Sequence, residues 1–101
     1  MTAVIVVTST FKSVPDKRAQ VLELARPCIE ATRKEKGCIR YELFVSSEDG
    51  VTMQFIEEWT DLDALKAHLQ SPHLSAFKEQ RKDLVEKGVV LKLFDAKETS
   101  L

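Results

Sequence analysis

Both histidines of this chain fall in one heptapeptide, Ala67-His68-Leu69-Gln70-Ser71-Pro72-His73. Imidazole titrates near neutral pH, so either ring can accept a proton or hold a substrate oxygen. Just upstream stand Glu57, Glu58 and Trp59, the only tryptophan. Read as a strand with a period of two, Met53, Phe55, Glu57 and Trp59 share one face. A carboxyl among apolar neighbours is driven toward its neutral form unless a donor pairs with it. Tyr41 lies on the preceding strand. Apolar walls with a few convergent polar groups are the usual form of a small-molecule site. The structural alternative for either histidine is a bond to backbone at a helix break, and His73 could instead cap the segment that follows Pro72. His68 and His73 are not the i, i+4 pair of a helical zinc motif, and no HExxH, GxSxG, GxGxxG or P-loop is present. No metal is therefore expected, and three glycines hardly suffice for a phosphate cradle. Flavin and nicotinamide are disfavoured.

The elements that must position these residues form six blocks. Val4 to Phe11 is β-branched and reads as a strand. Ser13 offers an N-cap, with Asp16 three residues on and Pro15 in the first turn. Val14, Val21, Leu24, Ala25, Cys28, Ile29 and Thr32 then recur at helical spacing, up to Arg33-Lys34-Glu35-Lys36 and a stop at Gly37. Pro27 falls inside that helix and is expected to bend it. Cys38 to Val45 alternates, with Ile39, Tyr41, Leu43 and Val45 on one face and Arg40, Glu42 and Phe44 on the other. Asp49-Gly50 marks a hairpin turn, and Val51 to Trp59 is the returning strand. Thr60-Asp61 caps a short helix with a Leu62, Leu65, Leu69 stripe. Ser71-Pro72 breaks it, and a second helical segment carries Leu74, Phe77, Leu84 and Val85 to Gly88. Val89 to Ala96 is the last strand, and the tail 97–101 reads as loose. The order βαββαβ predicts an α+β, ferredoxin-like sandwich over residues 1–101, a four-stranded antiparallel sheet with helices on one face.

That architecture leaves a sheet face open. It would carry Phe44, either Val4/Val6 or Ile5/Val7, and part of the last strand. Large exposed apolar patches mark interfaces, so a homodimer packed through the sheet is expected. The composition agrees with a small domain: 101 residues, 31% charged, 44% hydrophobic and a net charge of −1. Such a balance gives no reason to expect nucleic acid or an anionic membrane as partner. No apolar run approaches a membrane span, and a cytoplasmic location is expected. Cys28 reads as a small core residue, not a reactive thiol.

Ile56-Glu57-Glu58-Trp59 followed by His68-x4-His73 resembles the signature of the antibiotic biosynthesis monooxygenase (ABM) family, in the dimeric α+β barrel superfamily. Lys34 to Cys38 followed by Tyr41 is similar to the start of that family's second strand, and the quinol monooxygenase branch is nearest. The resemblance implies a homodimer with a pocket between sheet and helices. It also implies oxidation of quinol-like or phenolic aromatics with O2 and no cofactor. A deprotonated dihydroxy-aromatic is itself the reductant, so the protein need supply only a dry cavity, a proton acceptor and aromatic walls. Carried to this chain, His68 or His73 would be the base, Glu57 would orient one of them, and Trp59, Tyr41, Phe55 and Ser9 would bind substrate. Haem-degrading relatives carry an asparagine in the first strand, whereas this chain has Thr8-Ser9-Thr10 there and no asparagine at all. The alternative is a non-redox metabolite binder or isomerase, with Lys17, Arg18 or Arg40 as anchor for an acidic ligand.

Overall fold

The computed structural model describes residues 3–101. β1 (Val4–Lys12), α1 (Arg18–Arg33), β2 (Cys38–Val45), β3 (Thr52–Trp59), α2 (Leu62–Leu69), α3 (Pro72–Arg81) and β4 (Val90–Ala96) follow in chain order. The four strands form one antiparallel sheet in the order β2-β3-β1-β4. This is the expected ferredoxin-like βαββαβ arrangement, with the second helix split in two. The alternation in β3 is complete. Met53, Phe55, Glu57 and Trp59 are buried against the helices, and the residues between them are only half-buried. Val7 and Phe11 of β1, Tyr41 of β2 and Val21, Ala25, Cys28, Leu65, Leu74 and Phe77 of the helices complete the core. Cys28 is thus a core residue, and burial pushes its thiol pKa up.

Several local expectations are corrected. Ser13 does not cap α1. It continues β1 as a bridge to Val85, and α1 starts at Arg18 behind Lys17 with no side-chain cap. The buried Ser13 Oγ is left without a hydrogen-bond partner. Pro27 does lie inside α1, as expected, and the helix continues past it. Pro27 is exposed, so the carbonyl its ring leaves unpaired can turn to water. Leu84 and Val85 are not helical, because α3 ends at Arg81. Ile39 is 52% exposed, although Tyr41 and Leu43 pack inward as expected. A register shift between Cys38 and Arg40 breaks the alternation there and turns Cys38 to the core. In α2 the buried residues are Leu65 and His68, whereas Leu62 and Leu69 are largely exposed.

Val7 is buried, so Val4 and Val6 lie on the open sheet face. Register places Phe94 opposite Val6, and Leu91 and Leu93 opposite Ser9 and Val7. Both faces of β4 are nevertheless open: Val90, Leu91, Leu93 and Phe94 are 45–50% exposed.

One glycine fixes a tertiary join. Gly37 has φ 85°, and a Cβ there would stand 2.5 Å from Ala64 Cβ and 2.7 Å from Thr60 Oγ1. Its carbonyl accepts from the Thr60 N–H at 2.9 Å. The turn before β2 is thereby pressed onto the start of α2. Gly37→Ala combines a strained backbone with a clash. It should lower the free energy of unfolding by about 1–3 kcal/mol in urea titrations, and a neutral result would show that this turn can shift away from α2.

Candidate active site

The helix break at Ser71-Pro72 brings the two histidines together. Asp61 caps α2 by accepting from the Ala64 N–H at 2.8 Å. Ser71 caps α3 by accepting from the Leu74 N–H at 3.4 Å, with Pro72 in the first turn. The cap role considered for His73 therefore belongs to Ser71. His68 ends up in the last turn of α2 and His73 in the first turn of α3. Glu35, in the turn after α1, meets both rings. Its Oε2 lies 2.8 Å from His68 Nδ1 and 2.8 Å from His73 Nε2.

A carboxylate can only accept, so each of those ring nitrogens donates. His68 therefore carries its proton on Nδ1, and Nε2 is the nitrogen it can offer as a base. The ring is 1% exposed and packs 4.8 Å from the Trp59 ring and 5.2 Å from that of Tyr41, centroid to centroid. Burial lowers the His68 pKa below the ordinary imidazole value, and the bond it donates to Glu35 works against that shift without cancelling it.

The expected partnership of Glu57 with a histidine is not what the structure brings together. Trp59 Nε1 donates to Glu57 Oε1 at 2.9 Å, two residues away on the same strand face. Burial raises the Glu57 pKa to about 7, and the Trp59 bond opposes it. At neutral pH this carboxyl is thus close to half protonated.

A cavity of about 240 Å³ opens between the sheet and α2/α3. Ser9, Tyr41, Phe55, Glu57 and His68 line it, together with Leu74, Phe77, Lys78, Arg81 and, from the β4 side, Val89 and Leu91. Its size falls just below the usual span of small-molecule sites, about 300–1,000 Å³. Trp59 is fully buried behind His68 and is not part of the wall. His73 is likewise absent from the lining. The anchors considered for an acidic ligand lie elsewhere. Arg40 pairs with Glu42 at 2.8 Å and Glu58 at 3.6 Å, Arg18 reaches the Gly50 carbonyl at 3.5 Å, and Lys17 is exposed. Sequence reasoning missed Glu35 and Arg81. Glu35 sits in the Arg33-Lys34-Glu35-Lys36 run that reads as the charged stop of α1. Arg81 stands one helical turn after Phe77, and that spacing was the available signal.

Glu35, His68 and His73 are also the group whose donor atoms converge, all within 4.8 Å. Both nitrogens aim at a single carboxylate oxygen at hydrogen-bond distance, so the group is complete as a hydrogen-bonded triad.

Fold and site together define a small α+β domain with an acid-oriented histidine at an apolar cavity. The chain belongs to the antibiotic biosynthesis monooxygenase family, whose pattern residues 4–80 match. It is 34% identical over 95 residues to an uncharacterized protein of Synechocystis, covering 94% of this chain but 65% of that one. The chain thus spans about two thirds of that relative's length. It is 33% identical over 81 residues to the probable quinol monooxygenase YgiN of Escherichia coli K12, covering 71% and 78% of the two chains. The solved structure of Rv0793 from Mycobacterium tuberculosis superposes with a TM-score of 0.85 at 28% identity, covering 97% and 99%. No described helix is long and apolar enough to cross a membrane.

The Glu57 shift has a sign that can be measured. A carboxyl whose folded pKa is raised contributes stability that is complete below its ordinary value near 4.5 and is lost as pH rises through about 7. Between pH 4.5 and 8 the wild type should lose roughly 2–3 kcal/mol relative to Glu57→Gln, at 1.36 kcal/mol per pKa unit. Parallel pH–stability curves for the two proteins would mean that Glu57 titrates at its ordinary value in the folded chain.

Proposed function

We propose that this chain is a cofactor-independent monooxygenase acting on a quinol-like or phenolic aromatic with O2, with Nε2 of His68 as the base. The observation that supports this best is the Glu35–His68 pair at the wall of an apolar cavity. His68 takes the phenolic proton, and the electron-rich anion reduces O2. For a simple quinol the sum is quinol plus O2 giving hydroxyquinone plus water. The substrate supplies all four electrons, one oxygen atom joins a ring carbon and the other leaves as water. Tyr41 and Phe55 form aromatic walls, Ser9 offers a hydroxyl, and Glu35 holds the His68 tautomer. Family membership and the printed name of the Escherichia coli relative agree with this substrate class.

The test is oxygen uptake on a reduced naphthoquinone against an autoxidation blank. His68→Ala should lower kcat by about 10²–10⁴, and Glu35→Gln by about 10–100 with little change in KM. The acid limb of the wild-type profile should lie below pH ~6.5, the ordinary imidazole value. In Glu35→Gln it should move lower still, because Glu35 supports the protonated ring. An upward move would remove the pair from the mechanism. Dialysis against a chelator should leave the rate unchanged. Binding of aromatics with no uptake above the blank would favour the non-redox reading.

The working unit in this proposal is a homodimer. Its support is β4, apolar and open on both faces, with Phe44 also exposed on the sheet. Light scattering should give twice the chain mass of 11.4 kDa. Phe94→Asp should shift the mass toward one chain and lower activity, because Val89 and Leu91 beside it wall the cavity. A monomeric wild type with full activity would overturn this part.

A further inference from the structure

Arg81 is the least accounted-for group in the molecule. It is 7% exposed, yet among the described residues its guanidinium forms no salt bridge. Two guanidinium groups that are more exposed do have oxygen partners: Arg33 Nε donates to the Tyr41 carbonyl at 3.0 Å and Arg40 Nε to Glu42 at 2.8 Å. Arg81 instead lies between two rings, 4.5 Å from the centroid of Phe11 and 4.7 Å from that of Phe77. Ring faces hold a cation in place but accept little from its N–H groups in the plane of the fork. The Arg81 nitrogens are not among the sealed, unpartnered atoms of the described residues, so they open onto accessible space instead of packed interior. Arg81 lines the cavity, so its donors have the ligand space to turn to.

The charges around that space favour an anion. Lys78 lines it as a second cation. Tyr41 and Cys28 are close enough to act on Arg81, and burial keeps both in their neutral forms. Glu57 is the one acid in the lining, and because burial raises its pKa to about 7 it carries only part of a negative charge at neutral pH, against two cations.

We infer that the cavity binds an aromatic acid, with the ligand's carboxylate seated on the Arg81 guanidinium and its ring on the apolar wall toward His68. This rests on the aromatic-pocket reading above and narrows it. A planar fork with free N–H groups suits a carboxylate in a two-point bond.

The experiment is calorimetric titration with 1-hydroxy-2-naphthoate and its uncharged carboxamide. Wild type should bind the acid at least about tenfold more tightly than the amide. Arg81→Met should abolish that preference while leaving the amide affinity within about twofold, and Arg81→Lys should keep part of it. Lys78→Met should keep it. Equal binding of acid and amide by wild type would overturn the inference and leave the aromatic pocket standing. A preference that survives in Arg81→Met and vanishes in Lys78→Met would reassign the anchor and equally overturn it. Absence of binding by both compounds would remove the pocket reading, and this inference with it. If Arg81→Met fails to fold, Arg81→Lys takes its place: a full wild-type preference in that variant would overturn the assignment to Arg81.

Discussion

A single carboxylate oxygen holds this site together. Oε2 of Glu35 accepts from rings on two different helices, at 2.8 Å in each case. The turn before β2, the end of α2 and the start of α3 are therefore tied at one point. Without that oxygen the buried Nδ1–H of His68 would face apolar rings, a cost comparable to a lost hydrogen bond with nothing to offset it. The surrounding features follow from the same constraint. Gly37 lets the turn approach α2, and the break at Ser71-Pro72 lets two short helices present their histidines to one acceptor.

The cavity shows how a small fold carries polar chemistry inside an apolar interior. Each titratable group there is restrained differently. His68 is kept neutral by burial and aligned by its acid. Glu57 is poised near neutrality by the opposition of burial and an indole donor. Arg81 stays charged, because even a lowered guanidinium pKa remains far above neutral pH. Buried polar groups of this kind often contribute no more to stability than well-packed apolar residues of similar volume. Their presence on one side of one space is the pattern of a site that gives up stability for function.

Much of this is legible in the amino-acid sequence. The alternation Met53-Phe55-Glu57-Trp59 places its side chains by period alone, and the helix-break histidines are marked by Pro72. Element order and turn residues then leave few folds to choose from. Glu35 was not legible, since it meets His68 across 33 positions of sequence and sits in a Lys-Glu-Lys run that looks like a solvated helix end. Arg81 was hidden for the same reason, in a helix rich in exposed charge. The outward turn of Ile39 depends on a β-bulge, which one strand's pattern cannot reveal because it is a property of the pairing. Local chemistry sets the elements, whereas which polar residue finds which partner is decided only when they pack.

β4 hydrogen-bonds within the sheet only to β1, at one end of it, and its apolar side chains are unshielded above and below. Edge strands of this kind are templates for pairing with further chains, and the charges of Lys92 and Asp95 are its only interruptions. If a second copy covers that strand, as proposed, mass action makes the resistance of the chain to heat rise with its own concentration. Dilution would then act as a denaturing condition, felt first at the cavity wall formed by Val89 and Leu91.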